Sequence, residues 1–158
     1  MKTNLKTLPP VKKAPKAKAP AIVSLDHIFL PTRSFEKSWA FWADGAGGDV
    51  GAMWEGDGNQ AGMVRLGGVN IVLSQEDESA AQPELGYPIE HGRPVLFFNT
   101  PDLDTLYHDL ANRGVPILRG PKDTHWGKRA MTVKAGELVL AFVEDKSLAR
   151  KKTKSRKR

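Results

Sequence analysis

Shifted by 68 residues, the chain falls onto itself. "DHIFL" (26–30) meets "PVLFF" (94–98), and Ser34 meets Asp102. Phe35, Trp39 and Trp42 meet Leu103, Tyr107 and Leu110, and "VNIVLSQED" meets "ELVLAFVED". Seven identities accompany the shift: Phe29/Phe97, Thr32/Thr100, Ala43/Ala111, Met63/Met131, Gly68/Gly136, Glu76/Glu144 and Asp77/Asp145. That identity is weak alone. The constraint is that strand, helix cap, helix face and closing hairpin stay in register across 25–77 and 93–145 without a gap.

The repeated unit is readable. "IVSLDHIFL" (22–30) has the length and flanks of a strand. "PTRS" turns the chain, with Ser34 as the N-cap. Phe35, Trp39 and Trp42 then fall at i, i+4, i+7, one face of a helix that "DGAGG" stops. "DVGAMWE", "AGMVRL" and "VNIVLSQ" follow as three strands separated by turn signals. The chain is therefore expected to be α+β, with two βαβββ modules over 22–76 and 93–145. An acidic, proline-containing linker, 77–92, joins them.

The formal charge of +6 belongs to the ends. Of 24 Lys and Arg, six lie in residues 1–20 and eight in 146–158, and neither stretch holds an acid. The body keeps ten basic residues against all 18 acids. Both ends read as disordered basic tails around a domain spanning 21–145. They are solubilising or make weak contact with nucleic acid or another polyanion through phosphates. No aromatic is interleaved with the charges, so base stacking is not implied. No run is long enough to cross a bilayer, and the basic N-terminal stretch, with no apolar run behind its lysines, does not read as a secretory signal. The expected location is cytoplasmic, with no membrane partner. With no cysteine, disulfides and thiolate metal sites are excluded.

"LDHIFLPTRSFEKSWAFW", the duplicated unit, "HWGKRAMTV" and the glycine before "ELVLAF" together resemble the vicinal oxygen chelate superfamily. This group holds glyoxalases, extradiol dioxygenases, fosfomycin-modifying enzymes and bleomycin-resistance proteins. The resemblance covers about residues 22–145. It implies modules forming curved mixed sheets around a shared cavity, often in a homodimer. It also implies a divalent metal held by one ligand from the first and last strand of each module. His27 occupies the first such position. Its repeat partner is Val95, and four residues past Gly68 and Gly136 stand Val72 and Leu140. One imidazole and three aliphatic side chains cannot hold a divalent cation, which needs several oxygen or imidazole ligands. Glu76 and Glu144 lie four residues further on, roughly 13 Å along a strand, too far to share an ion with His27. No metal and no cofactor is expected. Metal-free relatives of this kind resemble sequestering proteins, and Val and Leu at ligand positions make the cavity more apolar.

Other chemistry is absent. The Gly-rich stretch 45–58 lacks the Gly-Lys-Ser/Thr of a phosphate loop, and no G-x-S-x-G elbow occurs. The ligand-binding candidates are His27, Trp54, Trp126, Arg129, Arg65 and Tyr87. His27 shares a face with Leu25 and Phe29 by strand alternation. It is either a polar group on the cavity wall or a core histidine bonded to backbone. Trp54 and Trp126 lie outside the periodic core and offer flat apolar faces with one N–H each. Arg129 and Arg65 either face an acidic ligand group or pair with surface acids. Tyr87, with His91, forms a flap over the cavity mouth or simply a linker. Trp39 and Trp42 are core. The expected function is metal-independent binding of an apolar or aromatic small molecule, acting by sequestration. The rivals are a lyase, isomerase or dioxygenase of the same superfamily, with His27 as general base, and a polyanion-tethered interaction module.

Overall fold

The computed structural model describes residues 22–56, 59–78, 81–82 and 85–149. The expectation of disorder for 1–20 lies outside these residues, as does most of that for the other tail. Residues 146–149 are an exception: they form a helical turn, with Asp145 accepting from the Ser147 N–H and hydroxyl.

The first half runs β1 (Ser24–Thr32), α1 (Phe35–Trp39), a π-helical turn (Ala40–Gly45), β2 (Asp49–Gly56), β3 (Asn59–Leu66) and β4 (Val69–Gln75). Two short strands follow, β5 (Ala81–Gln82) and β6 (Tyr87–Pro88). The second half runs β7 (Val95–Thr100), α2 (Leu103–Asn112), β8 (Ile117–Asp123), β9 (Arg129–Ala135) and β10 (Leu138–Glu144). The fold is mixed α+β. Instead of separate sheets, one curved, unclosed eight-stranded sheet forms in the order β2-β3-β4-β1-β7-β10-β9-β8. β1 and β7 join the halves antiparallel, pairing His27 with Phe97 and Phe29 with Val95. Those two pairs exchange under a 68-residue shift, so an internal two-fold passes between β1 and β7.

The shift does not stay at 68. Trp54 opposite Ala61 corresponds to Lys122 opposite Ala130, so the offset is 68 on β2/β8 and 69 on β3/β9. The extra residue falls in the β8–β9 loop, around Trp126. Gly136, at φ +63°, therefore matches Gly67, at φ +56°, and not Gly68. Glu144 matches Gln75: the two side chains accept from the first helical N–H groups, of Leu103 and Phe35. Of the seven identities, Phe29/Phe97, Thr32/Thr100 and Ala43/Ala111 survive, while the four after the loop are coincidences of the uncorrected shift. Ser34 flanks α1 without a side-chain capping bond. Asp102 does cap α2, accepting from Thr105 N–H, and that bond holds its carboxyl below the ordinary range.

Both helices cover one face of the sheet. Under α1 sit Phe35, Ile71 and Leu73 with Trp39 and Trp42; under α2 sit Leu103, Leu106, Met131, Val133 and Phe142. Gly62 is required beneath α1. A Cβ there would stand 2.6 Å from the Trp39 ring, and that ring is wedged against Phe35 at 5.2 Å. Gly62→Ala should therefore destabilise the protein by about 1–3 kcal/mol through overpacking, read as a lower denaturation midpoint with an unchanged slope.

The residues between the halves are not a surface linker. Leu85, Tyr87 and Ile89 are buried at 6%, 5% and 2% exposure. Leu85 and Tyr87 pack on the helix-free face of the second half, against Val95, Phe97, Ala130, Ala141 and Val143. The strap is tied down where Thr132 donates to the Leu85 carbonyl at 2.5 Å. His91 anchors its other end, with Nε2 2.6 Å from the Glu76 carbonyl and Nδ1 2.9 Å from Glu78.

Candidate functional site

The strap makes the two halves unequal. On the helix-free face, the second half is filled by its own chain. Among the described residues no segment packs on that face of the first half, which leaves a trough of half-buried side chains on the curved sheet. Its floor follows from register and alternation: Gly62 faces α1, so Ala61, Met63 and Arg65 face the trough. Their β4 partners Ser74, Val72 and Asn70 share that face, as does Trp54 opposite Ala61. Ala61, Met63, Val72 and Phe29 are only half-buried, unlike the fully buried Val95, Phe97 and Ala141 across the two-fold. Among the described residues, Arg65 has no ion-pair partner.

His27 stands at the inner end of this trough. Its ring stacks on Phe97 with centroids 4.3 Å apart and planes 16° apart. Nδ1 lies 2.7 Å from Asp26 Oδ2, and Asn99 Nδ2 donates to Asp26 Oδ1 at 3.1 Å. Neighbouring strand residues ordinarily point to opposite faces. A bulge breaks that rule here: Leu25 pairs Phe98 and His27 pairs Phe97, which leaves Asp26 unmatched. Leu25 thereby moves to the helix-covered face, correcting the simple alternation that put it beside His27.

The other expected site residues disperse. Arg129 turns to the helix-covered side and forks onto Asp104 at 3.0 and 3.1 Å, with Glu144 at 3.6 Å. The pairing holds the Asp104 carboxyl below its usual range and Arg129 above its own. Trp126 sits in the β8–β9 loop at the edge opposite Trp54, its ring edge-on to His125 at 5.1 Å. Tyr87 is a buried wedge of the strap, not a flap over an open mouth. Among the described residues its hydroxyl has no hydrogen-bond partner; burial, and then the charge of Glu76, push its ionisation far up. The alternation of Leu85, Tyr87 and Ile89 in "LGYPI" was the available signal for this packing. Asp26 and Asn99 had none, because the bulge that unites them depends on pairing with β7.

The corrected register moves one of the four family ligand positions. Val72 pairs with Phe29 and Ala141 with Phe97, so Ala141 replaces Leu140, which packs on the α2 side. The set is His27, Val72, Val95 and Ala141. One nitrogen and three aliphatic groups do not fit a divalent metal. Nor do three or more His, Asp or Glu side chains gather elsewhere among the described residues. Two other concavities are unsuited to an apolar ligand. A cleft of about 100 Å³ beneath the strap, between Tyr87, Pro94, Val95 and Val139, is too small. A groove of about 620 Å³ lined by Arg33, Glu36, Glu55, Asn59, Gln60 and Gln75 is polar and open.

Paired βαβββ halves about a β1–β7 two-fold, with a histidine at the first ligand position, define the vicinal oxygen chelate architecture. The chain matches the Glyoxalase/Bleomycin resistance protein/Dioxygenase superfamily over residues 24–147, and it belongs to that superfamily. No curated protein matches it. Among solved structures it resembles methylmalonyl-CoA epimerase from Mycobacterium tuberculosis, with a TM-score of 0.59 at 19% identity over 82% of this chain and 93% of that one. It also resembles a superfamily member from Vibrio splendidus 12B01, with a TM-score of 0.55 at 16% identity over 77% of this chain and 100% of that one. At such identities the likeness establishes the fold alone.

Proposed function

We propose that the protein binds an apolar or aromatic small molecule in the first-half trough, without metal, and acts by sequestration. One observation carries this reading: Val72, Val95 and Ala141 stand where the family architecture places metal ligands, and His27 is the lone polar side chain among them. The ligand lies on Phe29, Val72 and Met63, with Trp54 at the outer rim and Arg65 available to an acidic substituent. Pairing into a homodimer and weak contact of the basic ends with polyanions belong to the same proposal. No helix among the described residues is long and apolar enough to cross a membrane.

His27→Ala should weaken ligand binding by about 0.5–1.5 kcal/mol, the worth of one hydrogen bond, and leave the fold intact. Titration calorimetry reads the first and circular dichroism the second. Arg129→Met is the control and should leave affinity unchanged. Stoichiometric metal found by elemental analysis, and lost in His27→Ala, would reverse the reading.

The 2.7 Å contact between Asp26 and His27 favours a second reading: a metal-free enzyme with His27 as general base, oriented by the carboxylate. Several structural neighbours are epimerases, so the fold hosts catalysis. Turnover that vanishes in His27→Ala without loss of ligand binding would select it.

A further inference from the structure

The Asn99–Asp26–His27 chain decides what His27 can offer a ligand. An ionised carboxylate only accepts hydrogen bonds. Asp26 takes one from Asn99 on Oδ1 and one from His27 Nδ1 on Oδ2. The neutral imidazole therefore keeps its proton on Nδ1 and presents a lone pair at Nε2. Among the described residues, no protein group bonds Nε2. The ring is fixed from two directions, by Phe97 on its face and Asp26 on its edge.

We infer that the trough selects planar aromatic ligands bearing an O–H or N–H donor, such as phenols, enols and azoles, over analogues that only accept hydrogen bonds. This rests on the reading of the trough as the ligand site. The donor bonds His27 Nε2 while the ring lies on Phe29, Val72 and Met63. An acceptor-only analogue sets lone pair against lone pair and strips water from Nε2 without replacing it, a penalty larger than a mere missing contact. Discrimination then comes from the tautomer, which Asp26 holds, and Asp26 is a positioning residue.

Three probes with one ring system test this: naphthalene, β-naphthol and the methyl ether of β-naphthol. Their affinities are measured by titration on the full chain, and nitrogen NMR reads the His27 tautomer directly. Wild type should show the proton on Nδ1 and bind β-naphthol roughly 3–10-fold tighter than the ether. In Asp26→Asn, donation from Asn99 holds the new amide oxygen and turns the amide N–H toward Nδ1. The proton should move to Nε2, and the preference should vanish or invert. His27→Phe keeps the stack on Phe97, so naphthalene should still bind while the preference is lost. Equal wild-type affinity for β-naphthol and its ether, or a proton on Nε2, overturns the inference and leaves the trough reading standing. Failure of naphthalene to bind the folded protein overturns both.

Discussion

Phe97→Ala is expected to cost the protein about 3–5 kcal/mol of folding stability. Phe97 is 4% exposed and sits where three things meet. It is part of the β1–β7 seam, it packs against Leu85 and Tyr87 of the strap, and it carries the His27 ring. Phe29 meets its edge at 6.4 Å. Truncation removes the apolar ring and leaves a cavity that the strands, fixed by their ladder, cannot collapse to fill. The loss is a large part of a typical domain's total stability. Denaturant unfolding should show a strongly lowered midpoint, and Phe97→Leu should recover most of it. A loss below about 1 kcal/mol would mean that the strap and the seam do not depend on this ring.

Tyr87→Phe should act in the opposite direction. Among the described residues the buried Tyr87 hydroxyl has no partner, and an orphaned polar group costs about 1–3 kcal/mol. Deleting one oxygen keeps the ring in the apolar cluster and removes that cost, so the variant should be more stable by roughly that amount. The pH dependence follows from the raised ionisation of Tyr87 in the folded state. Below the unfolded pKa, near 10, both states keep the proton, and Tyr87 gives no slope. As pH rises past it, only the unfolded chain releases the proton, and wild-type stability falls. Tyr87→Phe lacks that term, so its advantage should widen above about pH 10. Melting curves of both proteins at neutral and alkaline pH check the sign. A variant less stable than wild type would show that the hydroxyl is satisfied in solution.

The repeat, the helix faces and the paired-module architecture were legible because each rests on local periodicity. Phe35, Trp39 and Trp42 share a helix face whatever surrounds them, and Phe29/Phe97 and Thr32/Thr100 mark equivalent strand ends. The candidate site was legible only in part. His27 was visible as a histidine in an apolar strand, and the aliphatic residues at ligand positions were visible as a departure from the resemblance. Arg129 and Trp126 looked equally suitable, since a single strand residue or loop indole carries no sign of which face or edge it will occupy.

The sequence by itself determined the elements of the two βαβββ halves and their order, though not the short strands β5 and β6 between them, since hydrogen-bonding and burial patterns within a short window settle the former. Tertiary structure alone decided the register and the polarity of the faces. One extra residue in the β8–β9 loop moved Gly136 onto Gly67 and exchanged Leu140 for Ala141 at the site, because a strand turns every side chain over with a one-residue slip. The bulge at Asp26 needed β7 as its partner, and without it the carboxylate would point away from His27. The strap closed half of the common face because Leu85 and Tyr87 found an apolar surface that β7, β9 and β10 contribute together. Burial of that kind is a property of the assembled sheet, which no local window contains.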